Sequence, residues 1–212
     1  MEHALFDWSV SENLLIRQNV RVSEILILAR VRLNELDLPV IADYYFEVSE
    51  QLRNVEGCFG LSVWRDPKDA ESFLVIYDYA DLAAAERGLV AISQVRVLAE
   101  TQLADFRPAD VIRLSVAGQS SQRLHEAPRS AYLSMSVRIA DPGYGPDLLD
   151  ELSRVFEELQ YLPGYLSYAY GTNDGLNEEV IGIVTWANRE SYQGSLAPGV
   201  RVSQLQVYTR FY

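Results

Sequence analysis

The residues best suited to chemistry are three arginines set among serines and aromatic side chains. Tyr132, Ser134, Ser136 and Arg138 fall on alternate positions of AYLSMSVRIA, Tyr208 and Arg210 on alternate positions of LQVYTRFY, and Arg113 in VIRLSV. Trp186 ends the run EVIGIVTWA, and Tyr79 and Trp64 end two similar runs earlier in the chain. A guanidinium fork holds a planar anion through paired hydrogen bonds, and an aromatic face stacks on a ring. This set therefore suits an aromatic carboxylate or phenolate. Tyr132 and Tyr208 could orient such a ligand or donate a hydrogen bond to it. Two alternatives stand beside this reading: the aromatics simply fill a core, and the arginines sit at rims paired with surface carboxylates. No nucleophile and base pair, phosphate-binding loop or metal-ligand cluster occurs. The histidines are His3 and His125, the latter expected to be a solvated loop residue, and the single cysteine, Cys58, cannot form an internal disulfide. No cofactor and no metal are expected.

The elements that must position these residues occur twice. Residues 57–89 and 164–196 align without a gap at an offset of 107, pairing Gly57 with Gly164, Ile76 with Ile183, Tyr79 with Trp186 and Leu89 with Leu196. The same offset pairs Leu26 with Leu133, Pro39 with Pro146 and Val48 with Val155. One offset held over so long a stretch marks a duplicated domain. Each copy reads as strand, helix, strand, strand, helix, strand, the ferredoxin-like βαββαβ order. We expect residues 1–22 to form an N-terminal arm, 23–116 the first repeat, 117–129 a polar linker and 130–212 the second repeat.

The alternation also divides each strand into two faces. Taking Leu133, Met135, Val137 and Ile139 as the apolar row against the helices places Tyr132, Ser134, Ser136, Arg138, Val184 and Trp186 on the opposite face. In the first repeat that opposite face holds Ile27, Ala29, Trp64, Val75, Tyr77, Tyr79 and Arg113. The opposite faces are too apolar to be left to water. They are expected to close on each other, giving an α+β fold in which the sheets of two tandem repeats pack into one intramolecular α/β barrel with a Ser-, Arg- and aromatic-lined interior.

Composition narrows the partners. Eighteen basic and thirty acidic residues give a net charge of −12, which repels nucleic acid phosphates and anionic lipid surfaces. The N-terminal MEHALFDWSV has no basic start or continuous apolar run, so a cytoplasmic protein is expected, with neither nucleic acid nor membrane as partner. A tandem copy supplies the second sheet within the chain, so a monomeric pseudo-dimer or a weak homo-oligomer is expected.

At IVTWANRESY (183–192) and the weaker copy IYDYADLAAAE (76–86), the chain resembles the dimeric α/β barrel superfamily, in particular its antibiotic biosynthesis monooxygenase-like branch. The resemblance implies ligands held between the sheet and helices of each half, a pocket aromatic at Trp186 and Tyr79, and a cofactor-independent oxygenase or a non-catalytic binding or stress-associated module. Where the branch carries an Asn four residues before the strand Trp, this chain has Gly182 and Val75. Where haem-degrading relatives place their ligand His, it has Leu196 and Leu89.

Overall fold

The computed structural model describes residues 25–33, 38–95, 97, 107–196 and 205–212. The expected N-terminal arm lies outside the described residues; the sequence also reads as a helical stretch through Leu98 and Phe106 that ends at Pro108, and most of that stretch lies outside them too. Among the described residues the strands are β1 (Ile25–Arg32), β2 (Cys58–Arg65), β3 (Ser72–Tyr79), β4 (Arg107–Gln119), β5 (Tyr132–Ile139), β6 (Tyr165–Asn173), β7 (Leu176–Trp186) and β8 (Leu205–Arg210). Four helices among the described residues pack against these strands, α1 (Leu38–Leu52), α2 (Leu82–Ala91), α3 (Gly145–Leu159) and α4 (Arg189–Ser195).

Local chemistry starts and stops these elements in the same way in both copies. Asp81 caps α2 by accepting from the Ala84 amide at 2.6 Å, and Asn188 caps α4 by accepting from the Ser191 amide at 2.9 Å. Ahead of each cap, the chain returns to the turn before the second strand of its repeat. The Ala80 amide donates to the Gly57 carbonyl and the Ala187 amide to the Gly164 carbonyl, both at 2.7 Å. Gly57 and Gly164 have φ of 81° and 75°, and a Cβ on them would meet the Ala84 Cβ at 2.8 Å and the Ser191 Oγ at 2.0 Å. Only glycine suits both the backbone and the space.

The eight strands form one closed barrel in the order β1-β3-β2-β8-β5-β7-β6-β4, so each repeat contributes four adjacent strands in ferredoxin-like order. One seam, β4 with β6, runs from Leu114↔Asn173 to Gln119↔Ala169. The other, β2 with β8, is registered only at Trp64↔Arg210 and Arg65↔Thr209. The closure expected from the duplication is thus achieved within one chain.

The contents of the barrel differ from expectation. Leu26, Leu28, Leu74, Ile76, Ile112, Leu114, Leu133, Met135, Ile181 and Ile183 pack together as the buried interior, joined by Trp64 and Tyr208. The row assigned to the helices therefore points inward. Ser134, Ser136, Arg138, Val184 and Trp186 instead border a space beneath α3 and α4, and Ala29, Val75 and Tyr79 pack with residues of α1 and α2. The alternation was sound and its sign was reversed. In an open sheet the helix face is the driest surface. In a closed barrel the inside is drier still, so the cleanest apolar row goes there and the helix face tolerates serine and arginine at its margins.

The same alternation places Tyr208 and Ala169 with Trp64 on the face expected inside, and all three lie there, Trp64 and Ala169 because a bulge flips their strands. The register shifts between Cys58 and Gly60 in β2 and between Tyr165 and Ser167 in β6, equivalent positions at the offset of 107. Strand β4 includes Pro108 and continues to Gln119, into the stretch read as linker. The rest of that stretch is not a solvated loop. Leu124 joins the interior cluster, and Arg123 donates to both carboxylate oxygens of Asp78 at 3.1 and 3.0 Å. His125, expected in solvent, is 19% exposed with Nδ1 3.5 Å from Asp78. Its ring lies over Gly60, where a Cβ would come within 2.8 Å of it.

Candidate functional site

Two spaces between sheet and helices are related by the duplication. In repeat 1 a cavity of about 280 Å³ is lined by Ile27, Ala29 and Val31 of β1, Tyr44 and Tyr45 of α1, Tyr77 and Tyr79 of β3, Leu89 of α2, Ile92 and Val111. In repeat 2 a cleft of about 160 Å³ is lined by Ser134, Ser136 and Arg138 of β5, Leu152, Phe156 and other residues of α3, Gly182, Val184 and Trp186 of β7, and Tyr192 and Leu196. At the offset of 107, Ile27 corresponds to Ser134, Ala29 to Ser136, Val31 to Arg138, Tyr45 to Leu152, Tyr77 to Val184, Tyr79 to Trp186 and Leu89 to Leu196. The two sites share a location and not a chemistry.

The repeat 1 cavity is walled by phenol rings. Tyr77 and Tyr79 stack with centroids 6.5 Å apart and planes at 10°, while Tyr44 and Tyr45 meet edge to face at 4.9 Å. Burial, with smaller contributions from neighbouring Tyr77 and Tyr44, holds the Tyr45 hydroxyl well above the ordinary phenol range. Burial likewise raises Tyr79. Both therefore remain protonated at neutral pH and are available as donors. The Tyr79 ring lies against Gly88 of α2, where a Cβ would fall 2.5 Å from its hydroxyl oxygen. The described lining contains no carboxylate, histidine, lysine or arginine.

The repeat 2 cleft is narrower because an aromatic from the helix occupies it. Phe156 stacks on Tyr168 and Tyr170 at 5.0 and 5.1 Å and sits directly over Gly182. Its repeat 1 counterpart is Ser49, and Val75 stands where Gly182 is. The indole of Trp186 donates to Ser134 Oγ at 3.1 Å, fixing that edge of the cleft. Arg138, at the outer margin, pairs with Glu151 of α3 at 3.2 Å. A larger but open groove lies outside this pair, along Ile139, Tyr144 and Asp147.

The candidate residues thus lie apart in the fold. Trp186, Ser134, Ser136 and Arg138 come together in the repeat 2 cleft, and Tyr79 lines the repeat 1 cavity. Tyr132 packs against the helix-side cluster of repeat 2. Trp64 and Tyr208 are buried in the barrel interior, bonded to Ser62 Oγ at 2.8 Å and Gln206 Oε1 at 2.9 Å. Of the other two arginines, Arg113 is 46% exposed and pairs with Asp174, which also accepts from Ser115. Arg210 lies over the Trp64 ring at 5.1 Å and donates to the His125 carbonyl at 3.1 Å. Burial lowers its pKa to about 10. Arg138 is therefore the one of the three that borders a described cavity. Tyr44 and Tyr45 escaped the sequence reading as site residues because their helical spacing marks them as core. The available signal was two adjacent tyrosines on the buried face of α1.

Leu89 and Leu196 line the two spaces where haem-degrading relatives place a histidine, and leucine cannot ligate iron, so the residues present do not fit haem held in that manner. Among the described residues no group of three or more His, Cys, Asp or Glu could hold a metal ion. No helix among them is long and apolar enough to cross a membrane.

Comparison with known proteins agrees with this architecture. Across 90% of this chain and 95% of its own, a candidate monooxygenase from Lactobacillus acidophilus superposes with a TM-score of 0.71 at 14% identity. A second, from Fusobacterium nucleatum, gives 0.71 at 11% identity over 89% of this chain and 92% of its own. An anthrone oxidase-like protein gives 0.59 at 14% identity over 89% and 93%. At these identities the likeness is one of fold. No curated protein matches the chain. Residues 25–87 match the antibiotic biosynthesis monooxygenase family model. Residues 25–87, within repeat 1, are thus similar to the antibiotic biosynthesis monooxygenase family, and the chain as a whole shares the ferredoxin-like barrel fold of these structures.

Proposed function

We propose that this protein is a small-molecule-binding barrel whose principal site is the repeat 1 cavity, and that its ligand there is a planar aromatic compound carrying an oxygen acceptor. The observation that supports this best is the cavity itself: about 280 Å³ of space with four tyrosines in an otherwise aliphatic wall. Such a wall removes ring surface from water, while a few phenolic hydroxyls fix the orientation of a carbonyl or ether oxygen. The anthrone oxidase-like and monooxygenase-like neighbours are compatible with an aromatic ligand.

The lining favours binding over proton abstraction. A general base should sit within hydrogen-bond reach with a pKa near the working pH, and the titratable groups of the described wall are all phenols, of which Tyr45 and Tyr79 are held protonated by burial. An oxygenase reaction here would rest on a substrate that ionises without help from the wall, with a tyrosine hydroxyl donating to the oxygen on which charge develops. The anionic preference expected from the sequence finds no cation in this wall; Arg138 of repeat 2 is the residue that could serve it.

Binding of 2-acetylnaphthalene, a neutral planar ketone, tests the proposal by calorimetry and by nuclear Overhauser contacts to tyrosine rings. Ala29→Phe, which fills the cavity floor, should abolish binding, and Leu176→Ser, at a 57% exposed strand position, should leave it intact. Retained affinity in a folded Ala29→Phe protein would place the ligand elsewhere and overturn the reading.

A further inference from the structure

Duplication left two spaces at one structural address, and two positions beside them differ in charge. In repeat 1 these are Val31 on β1 and Tyr44 on α1, and in repeat 2 the same positions are Arg138 on β5 and Glu151 on α3. The Arg138 guanidinium lies 3.2 Å from Glu151, with the two side chains 42% and 61% exposed. It borders both the narrow cleft and the open groove outside it. The pair thus stands between solvent and a space whose inner end is Trp186 and whose floor carries Ser134 and Ser136 in place of Ile27 and Ala29.

We propose that the repeat 2 cleft is a second binding site, specific for a small aromatic carboxylate, with Arg138 as the residue that selects the anion and Glu151 as the internal carboxylate that the ligand displaces. This rests on the reading that ligands enter between sheet and helices, and it adds a charge class and a repeat. An ion pair this exposed contributes little to folding, so exchanging one carboxylate for another at the guanidinium is nearly neutral for the protein. The incoming group has an advantage that Glu151 lacks. Its ring leaves water along the strand between Arg138 and Trp186, where residues 134, 136 and 138 repeat at about 6.6 Å intervals. The cleft of about 160 Å³ restricts the ligand to roughly one ring. A guanidinium fork donates two parallel hydrogen bonds to a carboxylate, which a neutral amide of the same shape cannot match. Val31 gives repeat 1 no such selectivity.

Benzoate and its neutral isostere benzamide are the probes, titrated into the full chain by calorimetry and by heteronuclear NMR of the Trp186 indole. Benzoate should bind more tightly than benzamide. Removing the competitor with Glu151→Gln should tighten benzoate about threefold and leave benzamide unchanged. Arg138→Met should weaken benzoate at least tenfold, with benzamide moving less than twofold. Both variants lie at exposed positions, so folding should be retained, and unchanged melting checks that. Equal losses for both probes in Arg138→Met, or unaltered benzoate affinity in Glu151→Gln, overturns the assignment of anion selection to this pair. If benzoate does not bind the parent protein, the second site is wrong. In that event, continued binding of 2-acetylnaphthalene leaves the repeat 1 reading standing, and its absence removes both.

Discussion

Repeat 1 and repeat 2 share the turns, caps and bulges that shape the strand ends and differ at most of the side chains that meet the space beneath the helices. The glycine turns at 57 and 164, the caps at Asp81 and Asn188 and the bulges after Cys58 and Tyr165 are held in common. The linings are not: Val75 against Gly182, Ser49 against Phe156, Tyr79 against Trp186 and Val31 against Arg138. A barrel of two fused halves needs both scaffolds to close, whereas nothing in closure requires two identical cavities. One half can therefore become an aliphatic and phenolic chamber while the other fills its chamber with its own aromatic ring.

The strongest way to break this contrast is to empty repeat 2. Phe156 is 3% exposed and packed against Tyr168 and Tyr170, so Phe156→Ala should destabilise the protein by about 3 kcal/mol or more in urea titrations. The vacated space should also admit 2-acetylnaphthalene as a second equivalent. A loss below about 1 kcal/mol would mean that the ring rests on the cleft rather than filling it, and the difference between the halves would lie in polarity alone.

A second contrast lies at the barrel ends. Asp78 on β3 and its counterpart Thr185 on β7 both face inward, but Asp78 is answered by Arg123 of the linker, whose guanidinium also stacks 3.5 Å above the Phe59 ring. Thr185 shares a 2.5 Å hydrogen bond with Ser167. Arg123→Met should lower stability by about 3 kcal/mol, because it strips the main partner from a buried carboxylate. Thr185→Val should lower it by only about 1 kcal/mol, the loss of one neutral hydrogen bond. Adding Asp78→Asn to Arg123→Met should recover much of the loss. Equal effects of the two single changes would show that the linker lies across the barrel end without fastening it.

Much of this organisation was legible in the residues. The gapless offset gave the duplication, the Asp and Asn caps gave the helix starts, and alternation gave the strands with ends shifted by only a few residues. What the pattern could not give was direction. A period of two says which residues share a face and nothing about which face is dry, so the Leu133 and Met135 row was turned outward when the closed barrel draws it in. Bulges then corrected that reversal for Trp64 and Ala169, though not for Tyr79, Arg138 and Trp186. His125 was illegible for a different reason. Its burial depends on Gly60 and Asp78, more than 45 positions away, and no local feature of a polar linker announces such contacts.

The finest contrast is between a phenol and its absence. Tyr45 corresponds to Leu152, so repeat 1 offers a hydroxyl where repeat 2 offers a methyl group. Tyr45→Phe should weaken 2-acetylnaphthalene about fivefold, in keeping with one neutral hydrogen bond, while stability changes little. The pH dependence separates this from a packing effect. Burial raises the Tyr45 pKa, so the folded protein holds its proton at pH values where an exposed phenol has begun to lose it. By linkage the stability associated with that proton is fully present below about pH 10 and is lost as pH rises through the higher folded value. Affinity for the neutral ketone should therefore be flat from pH 6 to about pH 9 and fall only beyond pH 10, and Tyr45→Phe should blunt that alkaline fall. A parent protein whose affinity already declines below pH 9 would point to another titrating group in the wall, and the hydroxyl of Tyr45 would no longer be the donor that orients the ligand.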